Sequence, residues 1–128
     1  MKNNLSITDS QMAFRRLSPL STNEVEEVWV VALNSSHKPI QIQRIFRGTV
    51  DSCLFHPRDI FRFLFLQNAT SFILAHNHPS GEMEPSPQDI KVTRQLQRAS
   101  RLMQIKFIDH IIFTKYSYVS LRDLGVMQ

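Results

Sequence analysis

The amino-acid sequence predicts an α/β fold in which a mixed β-sheet is sandwiched by helices. Short runs rich in β-branched and aromatic residues alternate with stretches of helical periodicity, and their order along the chain is β-β-α-β-α-β. The chain shows no internal repeat and no low-complexity linker. Its 128 residues, 42% of them hydrophobic, suit one globular domain over residues 1–128, and we expect disorder only in residues 1–7.

The first part of the chain predicts a short helix followed by a β-hairpin. Residues 8–11 (TDSQ) have the form of a capping box and predict a helix over about 9–17. Residues 28–33 (VWVVAL) have the content of a largely buried strand. A turn over 34–39 then leads into the alternating segment 40–46, which completes the hairpin.

The remaining part predicts two helices and three strands. Pro57 suits the first turn of a helix over about 57–68, and a central strand follows over 71–76. A second helix over 87–103 precedes strands over 107–114 and 118–121. The apolar stripe of the first helix is Ile60, Phe61, Leu64 and Phe65 with Asn68, and the buried face of the second is Val92, Leu96, Ala99 and Met103.

Composition favours a cytoplasmic protein. The formal charge is +4, from 15 Lys and Arg against 11 Asp and Glu, and it is too scattered along the sequence to indicate a dedicated nucleic-acid surface. The single cysteine, Cys53, cannot form an internal disulfide and suits a reducing compartment. No apolar run approaches the roughly 20 residues that span a bilayer, and the N-terminus lacks a signal-peptide core, so we expect no membrane association.

The most informative stretch is residues 72–89, where a predicted strand ends at two histidines. His76 and His78 are two residues apart, so on a strand both imidazoles project to the same face. Ser86 reads as the N-cap of the next helix, and Asp89 in its first turn can return to the histidines. Two His nitrogens and one carboxylate make three ligands for tetrahedral zinc and leave a fourth position for water, as in catalytic sites.

Each of these residues also has a structural interpretation. The two histidines could be solvated side chains at a strand end. Asp89 could serve only the helix dipole, and Ser86 could serve only as an N-cap. The coincidence of all of them in one strand–turn–helix unit favours metal binding.

The same residues carry a family resemblance. Residues 76–81 (HNHPSG), followed by Pro85, Ser86 and Asp89, resemble the metal-binding signature of the JAMM (MPN-type) metalloprotease superfamily in its bacterial RadC-like branch. Similar RadC-like strings stand at 46–49 (FRGT), 56–59 (HPRD) and 109–112 (DHII). The resemblance implies an MPN/JAB, cytidine-deaminase-like architecture. The chain leaves no room for the helix-hairpin-helix region of RadC proteins, so we expect a stand-alone domain.

The resemblance also implies an activity and further roles. It implies a zinc-dependent hydrolase that cleaves peptide or isopeptide bonds, with a glutamate that takes a proton from the attacking water. The glutamate should precede the first strand, where Glu27 with Val28 and Trp29 matches the family's Glu-x-aromatic pattern. We therefore assign the base to Glu27, with Glu26 as the alternative. The Ser86 hydroxyl stands where the family has a donor to the carbonyl oxyanion.

Two other polar residues have expected structural roles. Asn77 projects to the strand face opposite the histidines and should fasten a loop. His110 lies within an apolar strand and reads as a hydrogen-bonded core histidine, with contact to a metal ligand as the alternative.

Two other functions remain as alternatives. The RadC name carries a DNA-repair association and the chain is basic, so nucleic acid is a candidate partner, although the missing helix-hairpin-helix region argues against it. A non-catalytic MPN interaction module is the second alternative, and the retained ligand positions argue against it. The sequence contains no H-E-x-x-H motif and no phosphate-binding glycine loop, and a single cysteine excludes a zinc nucleobase deaminase.

Overall fold

A five-stranded mixed sheet forms the centre of the computed structural model, which describes residues 5–21, 24–48 and 56–127. The elements are α1 Ser10–Leu17, a 3₁₀ turn Ser18–Leu20, β1 Glu27–Leu33, β2 Pro39–Arg47, α2 Pro57–Leu66, β3 Ser71–Asn77, α3 Pro87–Met103, β4 Lys106–Phe113 and β5 Tyr118–Ser120. The strand order is β2-β1-β3-β4-β5. Only β3 and β4 are parallel, and α3 provides their crossover.

Helices cover both faces of this sheet, as the sequence predicts. On the α1 face, Ala13 and Leu17 of α1 belong to one buried cluster with Val31 and Ile73 of the central strands. On the α2/α3 face, residues of both helices pack with the alternate positions of the same strands; this cluster includes Val30, Ile60, Leu64, Leu74 and Leu96. Because side chains alternate along a strand, each central strand contributes to both clusters.

The predicted elements are all present, but both long helices bury a different stripe from the one expected. In α2, Phe63 is buried and Phe65 is 51% exposed, and the helix ends at Leu66, before Asn68. In α3 the buried residues are Thr93, Leu96 and Ser100, and Met103 is exposed. Val92 and Ala99 only flank that face.

The polar residues that replace apolar ones in the buried face of α3 have hydrogen-bond partners. The Thr93 hydroxyl contacts His110 and the carbonyl of Asp89, and the Ser100 hydroxyl donates to the carbonyl of Gln97. A hydrogen-bonded hydroxyl can be buried at little cost, so the helix can turn these residues inward.

The N-terminal segment is partly held. Ile7, which the sequence places in a disordered segment, is buried, and its N–H donates to the carbonyl of His37. Residues 1–4 and Cys53 lie outside the described residues. Among the helices of the described ranges, none combines the length and the apolar character that crossing a membrane requires.

Candidate metal centre

His76 and His78 lie close together at the end of β3. His76 is buried beside Val28 of β1 and Ile112 of β4, and His78 follows just beyond the strand, with its N–H bonded to the carbonyl of Phe113. The Nε2 atoms of the two imidazoles are 2.9 Å apart. The spacing of two residues along an extended chain therefore brings both rings to the α2/α3 face.

The start of α3 supplies a carboxylate to the same point. Ser86 is the N-cap, and a reciprocal capping box joins it to Asp89: the Ser86 Oγ accepts from the Asp89 N–H at 3.0 Å, and the Asp89 Oδ2 accepts from the Ser86 N–H at 2.8 Å. The Asp89 Oδ1 lies 3.1 Å from the Nε2 of His76, and Oδ2 lies 3.4 Å from the Nε2 of His78. One carboxylate thus caps the helix and also meets both histidines.

These three groups fit a divalent transition metal. The two Nε2 atoms are 2.9 Å apart, and they lie 3.1 and 3.4 Å from different oxygens of the Asp89 carboxylate. Ligand atoms at the corners of a tetrahedral zinc site are about 3.3 Å apart, given bonds of about 2.0 to 2.1 Å. The Nδ1 of His78 contacts the carbonyl of Glu82 at 2.7 Å, to which it can only donate, so the Nε2 of the neutral ring carries the lone pair.

The structure brings Glu26, not Glu27, to the histidines. Ligand atoms of Glu26, His76 and His78 all lie within 4.8 Å of one another, a group that could hold a metal ion. The Glu27 carboxylate is fully buried, 2.9 Å from the Nη1 of Arg44 and 3.9 Å from the Nε of Arg47. The assignment of Glu27 to this site therefore does not agree with the geometry.

The cause is the alternation of side chains along β1. Val28 pairs with His76 in the β1–β3 register, so Glu26 shares the face of the histidines and Glu27 belongs to the opposite, α1 face. The sequence signal that could have indicated this is the pair of arginines on β2, since a fully buried carboxylate requires a cationic partner.

Asn77 holds the backbone on both sides of Glu26. Its Nδ2 donates to the carbonyl of Val25 at 2.9 Å, and its Oδ1 accepts from the N–H of Glu27 at 2.6 Å. A third bond joins the N–H of Gly48 to the carbonyl of Glu26. Asn77 thus fastens a neighbouring segment from the opposite face of the strand, and that segment is the one that carries Glu26.

His110 contacts the candidate ligand His76. It is buried on β4, with its Nε2 2.9 Å from the Nδ1 of His76 and its Nδ1 2.7 Å from the Oγ1 of Thr93. The sequence offers contact with a candidate ligand as the alternative interpretation of His110, and its contact with His76 agrees with that alternative. Sequence reasoning missed Thr93, because a threonine inside a helix carries no local signal for such a contact.

The electrostatics of the centre favour an ionised carboxylate. Burial alone would raise the pKa of Asp89, but the neighbouring His76 and His78 imidazoles outweigh it and hold that pKa far below its usual range. The hydrogen bond to Asp89 raises the pKa of His78, against the effect of burial. Burial lowers the pKa of the His110 imidazole well below its ordinary value.

A small cavity adjoins these groups. Its volume is about 30 Å³, and its lining includes Glu26, His76, Asp89 and His110. A cavity needs roughly 10 to 15 Å³ to hold one water molecule, so this one has room for a water beside the candidate ligands, and its lining also includes Val28, Leu74 and Val92.

Comparison with known proteins identifies the family. A family model described as "RadC-like JAB domain" matches residues 7–126. The chain belongs to the RadC-like JAB domain family. This result confirms the resemblance, and the mixed sheet with helices on both faces is consistent with a JAB/MPN domain.

Relatives of this RadC-like JAB domain are named without an activity. It is 41% identical over 124 residues to a "UPF0758 protein" of Porphyromonas gingivalis, covering 95% of this chain and 55% of that protein. It is 37% identical over 122 residues to a "UPF0758 protein" of Latilactobacillus sakei, covering 94% of this chain and 54% of that protein. The chain spans about half the length of the curated relatives it matches.

Proposed function

We propose that this RadC-like JAB domain is a zinc-dependent hydrolase that cleaves peptide or isopeptide bonds. The observation that carries the proposal is the convergence of the His76 and His78 Nε2 atoms on the Asp89 carboxylate, with Glu26 and a small cavity beside them. Imidazole and carboxylate donors suit zinc. When bound, zinc supplies Lewis acidity, which makes water a nucleophile near neutral pH and polarises a substrate carbonyl.

In this proposal Glu26 is the general base. A base must lie within reach of the proton that it abstracts, and the Glu26 carboxylate lies near both histidines. Glu27 is a poor candidate, because its carboxylate is buried against Arg44 on the other face of the sheet. His76, His78 and Asp89 would hold the metal, and Glu26 would receive the proton of the attacking water.

Ser86 would stabilise the carbonyl oxygen. A serine hydroxyl offers one donor and two acceptor positions, and the contact with the Asp89 N–H uses an acceptor position. The hydroxyl proton can therefore be donated to an oxygen on which negative charge develops. The N-cap geometry fixes the Ser86 side chain for this role.

Zinc titration and a peptide-hydrolysis screen test the proposal. Metal-free protein should bind one zinc ion and then cleave members of a peptide library, whereas Asp89→Ala should lose both properties. Asp59→Ala is a matched control, since Asp59 lies in the first turn of α2 behind a proline, as Asp89 does in α3, but is exposed. Substoichiometric zinc in the wild type, or hydrolysis that Asp89→Ala leaves unchanged, would refute the site.

One observation favours nucleic-acid association as a second candidate function. Although the net charge is scattered in the sequence, α3 exposes cations at positions i, i+3, i+7 and i+10; they are Lys91, Arg94, Arg98 and Arg101. Cations in a row along one helix suit a phosphate backbone, and arginine binds phosphate particularly well.

The salt dependence of DNA affinity tests this second function. If all four cations contact phosphates, the slope of the logarithm of the DNA association constant against the logarithm of salt concentration should be roughly −3 to −4. The double variant Arg94→Gln with Arg98→Gln should make this slope less negative by about 2. The control pair Arg58→Gln with Arg62→Gln, exposed on α2, should leave it unchanged. Absence of binding at low salt would exclude this function.

A further inference from the structure

A chain of hydrogen bonds lies behind the candidate metal ligands and joins two of them. The Thr93 Oγ1 lies 2.8 Å from the backbone oxygen of Asp89 and 2.7 Å from the Nδ1 of His110. The Nε2 of His110 lies 2.9 Å from the Nδ1 of His76. The chain crosses three elements, α3, β4 and β3, and both of its histidines are buried.

The direction of these hydrogen bonds follows from the chemistry of the groups. A carbonyl oxygen only accepts, so the single hydroxyl proton of Thr93 points to Asp89. The contact between Thr93 and His110 then requires a proton on the Nδ1 of His110, which donates to the hydroxyl oxygen. A neutral His110 protonated on Nδ1 presents the lone pair of its Nε2 to His76, so the Nδ1 of His76 must be the donor there.

We propose that Thr93 and His110 are positioning residues that fix His76 as the Nδ1–H tautomer, with the lone pair of its Nε2 directed to the metal centre. A ligand histidine needs that lone pair, and a partner on its second nitrogen sets both the tautomer and the ring orientation. The inference rests on the proposed function only in taking His76 as a metal ligand.

His78 offers an internal comparison. Its Nδ1 donates to the carbonyl of Glu82, a backbone group of the loop before α3, with no second histidine between. Different hydrogen bonds thus orient the two candidate ligands, and only the orientation of His76 depends on Thr93 and His110. A change at Thr93 should therefore alter His76 and leave the tautomer of His78 as it is.

Zinc affinity in a matched pair of variants tests the proposal. Thr93→Val removes the hydroxyl with little change in volume, and Thr93→Ser keeps the hydroxyl. Loss of a partner behind a metal ligand typically lowers metal affinity about 10- to 100-fold. We expect a loss in that range, measured by competition with a chelator of known affinity, for Thr93→Val and His110→Ala but not for Thr93→Ser.

Long-range ¹H–¹⁵N NMR of the histidine rings gives a second readout that does not depend on activity and can be applied to the wild type alone. In the wild type, His110 should be protonated on Nδ1 and unprotonated on Nε2, with or without zinc. Thr93→Val should lose this preference, and Thr93→Ser should keep it. If a variant fails to fold, the wild-type spectrum alone decides.

The two proposals fail in different ways. Wild-type protein that binds no zinc would refute the proposed function, and the tautomer of His110 in the metal-free protein would still support or refute the hydrogen-bond chain. Wild-type protein that binds zinc while His110 carries its proton on Nε2, or a folded Thr93→Val that binds zinc as tightly as wild type, would overturn the role of Thr93 and His110 alone.

Discussion

Where β1 and β3 adjoin, the α2/α3 face of the sheet carries Glu26, His76 and His78, while the α1 face carries Glu27 and Asn77. On the α1 face, one carboxylate oxygen of Glu27 pairs with Arg44, and Asn77 bonds to main-chain groups. On the α2/α3 face, by contrast, the carboxylate of Glu26 and the imidazoles of His76 and His78 lie within 4.8 Å of one another and could together bind a cation. The α1 face thus holds an ion pair, and the α2/α3 face holds the candidate metal centre.

The adjacent glutamates give the largest expected contrast. Glu26→Gln should retain zinc and lower hydrolysis by about 10²- to 10⁴-fold, because the general base is lost. Glu27→Gln should retain hydrolysis and lower the free energy of unfolding by about 1 kcal/mol, a small cost because Arg44 and Arg47 are partly exposed. Zinc titration, turnover and urea denaturation of the two variants measure this.

The reversed outcome would contradict the comparison. Loss of hydrolysis in Glu27→Gln with a fully active Glu26→Gln would return the base to the α1 face. If neither substitution changed turnover, the non-catalytic alternative would regain support.

Asn77 links the two faces, so its removal should affect both stability and hydrolysis. Asn77→Ala loses two buried hydrogen bonds around Glu26, and we expect a loss of about 2 kcal/mol in unfolding free energy. Misplacement of Glu26 should also lower hydrolysis by up to about 10²-fold.

A matched control and a double variant separate these effects. Asn34→Ala likewise removes two hydrogen bonds with the backbone, both donated by backbone N–H groups of the β1–β2 turn to the Asn34 Oδ1, so it should change stability and not hydrolysis. In the Glu26→Gln background, Asn77→Ala should cause no further loss of hydrolysis. If Asn77→Ala lowered hydrolysis in the Glu26→Gln background as much as in the wild type, Asn77 would affect hydrolysis independently of Glu26.

Asp109 and His110 form a second pair of neighbours that face opposite sides, and they give the smallest expected effect. Burial raises the pKa of Asp109, although the hydroxyl of Ser120 and two backbone N–H groups donate to it. The folded state therefore holds this proton at pH values where the unfolded chain has released it. The stability that protonated Asp109 contributes is fully present below about pH 4, the ordinary pKa of an aspartate. It should be lost as the pH rises through the raised pKa of the folded state.

Urea denaturation of metal-free wild type and Asp109→Asn across pH 4 to 7 measures this contribution as a difference. Wild-type stability relative to the variant should decrease with rising pH and then level off. A difference that grows with pH would mean that the ionised form of Asp109 is the one favoured by folding.

The sequence predicted the elements well because their signals are local. Pro57 and Pro87 at helix starts, the Ser86 capping box and the β-branched runs of β1 and β3 are all properties of short segments. The grouping of the candidate ligands was also predictable, because His76 and His78 share one strand end and Asp89 begins the next helix.

The features that the sequence missed depend on contacts between distant segments. The faces of Glu26 and Glu27 depend on the pairing of Val28 with His76, and a shift of one residue would exchange them. The inward turn of Thr93 depends on His110, which lies 17 residues further along the chain. Neither relation leaves a pattern in the local sequence.

The most direct test of the metal centre is a crystal structure of zinc-loaded protein with diffraction data collected on both sides of the zinc absorption edge. We expect one anomalous peak about 2.0 to 2.2 Å from the Nε2 atoms of His76 and His78 and an oxygen of Asp89, with one position open and Glu26 beside it. A structure without that peak, or with a fourth protein ligand closing the site, would contradict the account.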